Sequence, residues 1–284
     1  MWQALHFEFM RNALIAGTMV SIICGVVGTL VVVNRLVFLS GGIAHAAYGG
    51  IGLAVYFGFS PGFFTAGFAS AVALVMGAIT VKDKHRADAA IGALWAIGMA
   101  LGIILVSLTP GYNVDLMGYL FGSILTVVKS DIWMMIALNV VILLVVLLFY
   151  KEFISISYDE EFAFVVGIPV TLFYFILLLM TSLAVVVTIK VVGLILVIAL
   201  LSIPPSIAED YTHSLGGMMF MASLFGIFFT VCGLYLSFNY NLPSGAAIIM
   251  VAGAAFFLSK ILRWIGRRSV SPSSMYDKEK EPLQ

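Results

Sequence analysis

His45 is the one histidine in this sequence that falls inside an apolar run, which makes it the first residue to examine for chemistry. A neutral imidazole ligates Zn²⁺, Mn²⁺ or Fe²⁺, or lines a path that such cations follow. It also serves as a helix-packing residue bonded to a backbone carbonyl, and spacing alone leaves both roles open. Around it, Gly41, Gly42, Gly49, Gly50 and Gly52 permit close backbone approach or an irregular turn. Small residues equally serve plain helix packing in membranes, and Gly98 with Gly102, and Gly118 with Gly122, read as surfaces of that kind.

A second group follows Ser202-Ile203-Pro204-Pro205, where two prolines remove two amide donors and are expected to interrupt a helix. Backbone groups freed there need water, protein or a passing ligand as partners. Glu209, Asp210 and His213 come next, either a carboxylate–imidazole group that holds a departing cation or a solvated loop. Ser40–Gly52 and Ser202–Glu209 thus put one interrupted segment in each half of the chain, a pairing found at transport sites.

The third group lies in the connection 151–168. Asp159, Glu160 and Glu161 form an acidic first turn after Tyr158; Phe162 to Val166 are apolar, and Gly167 and Pro169 close the segment. That pattern predicts a short amphipathic helix over Asp159–Val166, lying on lipid or docking a cytosolic partner. Other chemistry is missing. There is no HExxH, no Ser-His-Asp cluster, and Val127 and Val128 break any phosphate loop between Gly122 and Lys129–Ser130. Cys24 and Cys232 sit in apolar runs without CxxC or Cys/His neighbours and read as small hydrophobes.

The elements that must position these groups follow from composition. The 284 residues are 62% hydrophobic and only 10% charged, with mean hydropathy +1.14. Soluble domains run nearer 45–50% apolar and about 25% charged, so a soluble enzyme, a disordered tail and a disulfide scaffold are excluded. The zero net charge gives no hint of nucleic acid. Apolar runs at about 12–33, 40–58, 62–80, 89–108, 131–150, 169–189, 191–208, 215–238 and 244–262 each approach the roughly 20 residues that span a bilayer. The expected fold is an all-α polytopic integral membrane protein of about nine transmembrane helices. Eight is the rival count, because only Thr188–Lys190 separates the sixth run from the seventh. Segment 112–130 reads as a short helix outside the core or dipping into it.

Arg35, Lys82, Lys84, Arg86, Lys151, Lys260, Arg263, Arg267, Arg268, Lys278 and Lys280 fall on one side of such an arrangement; Arg11, Lys129 and Lys190 fall on the other. Eleven against three assigns the first side, with the C-terminus, to the cytoplasm. The expected organisation is an interfacial segment 1–11, a membrane domain 12–262 and a cytoplasmic tail 263–284. With no basic n-region or small-residue cleavage site, the first run reads as a retained span.

Several segments, taken together, resemble the permease subunit of ATP-binding-cassette importers for zinc, manganese or iron, the ABC-3 family. They are 35–46 (RLVFLSGGIAHA), 120–125 (LFGSIL), 159–163 (DEEFA) with Gly167, 190–196 (KVVGLIL) through Ile203-Pro204-Pro205, and 242–246 (LPSGA), in the family's order. The resemblance implies a type II importer permease in a prokaryotic inner membrane, with two copies forming a homodimer around a cation path. His45, Gly41, Pro204, Pro205 and Glu209 are expected on that path, with His45 as metal ligand. Tyr158, Asp159, Glu160, Glu161, Phe162 and Gly167 are expected to receive a cytosolic ATP-binding subunit, and an extracytoplasmic metal-binding protein is expected to deliver the cargo. No cofactor of its own is implied: the divalent metal is cargo, and ATP is hydrolysed on the partner. Many members resemble Gly-Asp-x-x-Ser-His, whereas this chain has Gly41 and Ala44 at the Asp and Ser positions. The rival from another class is a secondary metal transporter or channel without an ATPase. It calls for intramembrane carboxylates, and none lies deep in a run. A siderophore or cobalamin permease would be longer by a span, and a scaffold or enzyme lacks a catalytic constellation here.

Overall fold

The computed structural model describes residues 7–83, 87–109, 122, 124 and 127–269. Every described element is a helix: α1 Glu8–Val33, α2 Val37–Phe57, α3 Pro61–Lys82, α4 Ala87–Ser107, α5 Lys129–Leu148, α6 Tyr150–Tyr158, α7 Glu160–Val165, α8 Val170–Val192, α9 Leu194–Ala208, α10 Leu215–Tyr240 and α11 Ser244–Ser269. Hydrocarbon offers the backbone no partners, so each segment closes its own hydrogen bonds. Hydroxyls in these helices do likewise, as Thr29 to the carbonyl of Gly25 and Thr188 to that of Ala184 illustrate. Most of the expected helix in 112–130, residues 1–6 and the tail from 270 lie outside the described residues.

Eight of the described helices are long and apolar enough to cross a membrane. Eight, the rival count, is thus the number of full-length spans among the described residues, and the seventh expected run forms the 15-residue α9, about 22 Å at 1.5 Å per residue. The break before it moves. Thr188–Lys190 stays helical, and the chain turns at Gly193 with φ +80°. A side chain at Gly122, itself at φ +61°, would collide with the backbone of Val192 and Gly193, so Gly122 lies on the break.

α1 is the central post, packed against α10, α9, α8 and α5. Its apolar window is 72% buried and that of α2 78%, whereas α4 and α5 bury 22% and 28% and sit at the periphery. Hydroxyl pairs Ser21–Thr230 (3.2 Å) and Ser70–Ser182 (3.0 Å) tie α1 to α10 and α3 to α8.

The two ends of the bundle are fixed by contacts. Asn34 donates to Ser157 at 3.0 Å, and a side chain at Gly216 would meet the Tyr150 hydroxyl; these put the α1–α2 turn, α6 and the start of α10 together. Tyr211 hydrogen-bonds Ser259 at 3.0 Å, joining the end of α9 to late α11. At the other end, Glu8 pairs with Lys129 at 2.6 Å and Asn12 donates to the carbonyl of Val127. Arg35, Lys151, Lys260 and Arg263 therefore share one end and Arg11 and Lys129 the other, as the charge asymmetry requires.

Candidate functional site

His45 projects from the third turn of α2, and its position follows from glycines. A side chain at Gly98 would place its Cβ 2.7 Å from the Cα of Ala46; one at Gly102 would place it 2.6 Å from the ring of Tyr48. Only bare backbone allows α4 to lie this close to α2. Trp95, one turn before Gly98, is thereby laid on His45, with ring centroids 4.2 Å apart and planes 13° from parallel. The indole N–H points along its own helix to the Met99 sulfur at 3.1 Å, and Phe38 flanks the ring at 6.3 Å. His45 is half-buried, and its buried Nδ1 meets no hydrogen-bond partner among the described residues. That nitrogen thus lacks the backbone carbonyl expected of a plain packing histidine.

Gly41 lies one turn before His45 on the same face of α2. Among the described residues beyond its own helix, a Cβ there would touch only Ile198 Cδ1 of α9, at 3.8 Å. From that contact α9 carries a half-buried line, Ile198, Ser202 and Ser206, toward exposed Glu209. The structure places Pro204 and Pro205 on a different face. Both are buried, and the Pro205 ring packs by Gly28 of α1. Nor do they interrupt the helix as expected. Pro205 has no amide to give the carbonyl of Leu201, but Gly28 lets α1 rest on that oxygen, and α9 runs through to Ala208.

Glu209, Asp210 and His213 do not form one group. Asp210 pairs with Lys260 at 2.6 Å and with Arg263, while Glu209 and His213 are exposed. This ionic lock between α9 and α11 has no local sequence signal, since its partners stand 50 residues apart. Among the described residues no three His, Cys, Asp or Glu side chains come together as a ready metal site.

The connection after α5 holds the expected short helix as α7 and a further one, α6, before it. Asp159 ends α6 and, with Oδ1 accepting the amide of Phe162 at 2.9 Å, caps α7. Gly167 turns the chain at φ +87°. Ala163 is fully buried and anchors α7, whereas Tyr158, Phe162, Phe164 and Val165 are 58–80% exposed. Glu160 and Glu161 are exposed in its first turn. The exposed face of α7 is thus acidic and aromatic.

Residues 6–263 match the ABC 3 transport family. The chain belongs to that family. This ABC 3 member is 48% identical to an uncharacterized membrane protein of Synechocystis over 263 residues, 93% of this chain and 94% of the relative. It is 34% identical to the manganese transport system membrane protein MntC of Halalkalibacterium halodurans over 259 residues, 90% and 88% of the two chains. Among solved structures it resembles PsaBC from Streptococcus pneumoniae in complex with Fab, with TM-score 0.82 and 30% identity over 97% of this chain and 96% of that one. The ABC 3 membership and the long apolar helices make it a multi-pass membrane protein of a transport family.

Proposed function

We propose that this chain is the membrane permease of an ATP-driven importer of a divalent metal ion, with manganese ahead of zinc and iron. Similarity along nearly the whole chain to membrane proteins named for manganese transport carries this reading. Two copies form the cation path, on which His45 is the metal-handling side chain and the line Ile198–Ser202–Ser206 leads toward Glu209. The exposed face of α6 and α7 receives a separate ATP-binding subunit, and a metal-binding protein delivers cargo at the end that holds Glu8 and Lys129. The chain performs no chemical step; closure of the ATPase partners changes which end of the path is open. An imidazole without a surrounding carboxylate cluster suits a cargo that must leave as well as enter, since tight retention would stall transport.

The test is uptake of Mn²⁺, Zn²⁺ and Fe²⁺ into proteoliposomes that hold this chain with its ATPase partner, binding protein outside. Accumulation of Mn²⁺ that requires ATP is the expected result. Uptake driven by a proton gradient and indifferent to ATP would assign a secondary transporter instead. In the same assay His45→Ala lowers uptake while leaving the assembled complex intact.

A further inference from the structure

We infer that Trp95 is the positioning residue for His45, holding the imidazole in the plane from which it meets the cation. This rests on the reading of His45 as a path residue. Metal-binding histidines are ordinarily oriented by a hydrogen bond from the second ring nitrogen to a carbonyl, carboxylate or water. Here Nδ1 is buried, and among the described residues no carbonyl or carboxylate lies within hydrogen-bond reach of it. Among the described residues, the contact that fixes the ring is the near-parallel stack on Trp95 at 4.2 Å and 13°.

Trp95 is itself held from two sides. Its N–H reaches the Met99 sulfur, and its helix is drawn onto α2 through Gly98 and Gly102. The indole is therefore a fixed surface rather than a mobile neighbour. A stack of this kind also acts on chemistry. Ligation withdraws electron density from the imidazole, and the negative face of an indole attracts the positive charge that develops. Trp95 thus favours the metal-bound ring over the free one, without touching the cation.

The experiment combines transport with a spectroscopic signature. In proteoliposomes of the assembled transporter, Trp95→Leu keeps an apolar side chain but removes the planar face. It raises the manganese concentration for half-maximal uptake by about tenfold, the size typical of losing an orienting contact, with maximal rate within about twofold. Trp95→Phe restores most of the affinity. Added to His45→Ala, Trp95→Leu has no further effect. Equal losses in Leu and Phe variants, no loss in either, or an additive loss on His45→Ala overturns the assignment.

A second readout uses the full chain with Trp2, Trp133 and Trp264 changed to Phe, leaving Trp95 as sole emitter. Mn²⁺ or Co²⁺ quenches its fluorescence, and His45→Ala abolishes the quenching. Quenching that survives His45→Ala, or none in the parent, counts against the stack. If His45→Ala alone transports normally, the path reading fails first; if it is impaired while Trp95→Leu is normal, only the positioning role fails.

Discussion

At position 41 the chain leaves room for a group it does not have. Among the described residues outside its own helix backbone, Ile198 Cδ1 at 3.8 Å is the only atom within 4 Å of a Cβ added there, so a small polar side chain enters without displacing a neighbouring helix. Gly41 and His45 stand at i and i+4, the spacing that puts two side chains on one helix face. Gly41→Asp therefore gives the imidazole a carboxylate neighbour and completes a compact divalent site. Equilibrium dialysis on the purified chain should find Mn²⁺ held at least about tenfold tighter, the scale of one added charge-assisted contact, and proteoliposome uptake should slow as cargo is retained. Unchanged affinity in a well-folded Gly41→Asp chain would remove position 41 from the cation path. Gly98 answers the opposite way to substitution. Its Cβ would lie 2.7 Å from Ala46 Cα, so Gly98→Val forces α4 off α2 and separates Trp95 from His45. Overpacking of this kind costs about 1–3 kcal/mol, visible as a lower melting temperature in detergent.

Among the elements, α7 is the one whose stability is most local. It has six residues and one buried anchor, Ala163, so its first turn depends on the Asp159 cap. Asp159→Ala removes a capping bond worth about 0.5–2 kcal/mol. The helix should fray, and stimulation of the partner's ATPase should fall, while insertion and the fold of the eight long helices stay intact. Asp159→Asn keeps an acceptor and should restore coupling; equal defects in both variants would point to the charge rather than the cap. The long helices were legible in the sequence because continuous apolar runs leave a bilayer-spanning segment few alternatives. Their breaks were not. Thr188 looked like a boundary, yet its hydroxyl bonds back to the carbonyl of Ala184 and stays in the helix. The actual turn at Gly193 reflects backbone at φ +80°, which an apolar pattern does not register. Pro204 and Pro205 looked like a break because the loss of two donors is local, whereas the cover for the freed Leu201 carbonyl comes from Gly28, far away in sequence. Among site residues, His45 stood out as an isolated imidazole. Trp95 did not, although its place one turn before Gly98 on a small-residue face is a signal that could have found it.

For the molecule as a whole, the question is what the short helix does to the membrane topology. Eight equal crossings would return the chain to the side it started from, yet the start of α1 and late α11 lie at opposite ends of the bundle. The resolution is α9. It starts at the Gly193 break, packs along α1 past Gly28, and delivers Glu209 and Asp210 to the end that also holds α6. The pairing of Asp210 with Lys260 and Arg263 then fixes that end to late α11. A helix of about 22 Å can do the work of a crossing because neighbouring helices, not lipid, surround it: ten of its 15 residues are buried. This topology assigns sides to single positions. In a chain with Cys232 changed to Ala, Lys151→Cys and His213→Cys should react with an impermeant maleimide only from the cytoplasmic side. Ser60→Cys and Lys129→Cys should react only from the other side. If His213→Cys reacts together with Lys129→Cys, α9 does not carry the chain back. Glu209 would then lie on the side opposite α6 and α7, and the proposal that an imported cation leaves there would fail.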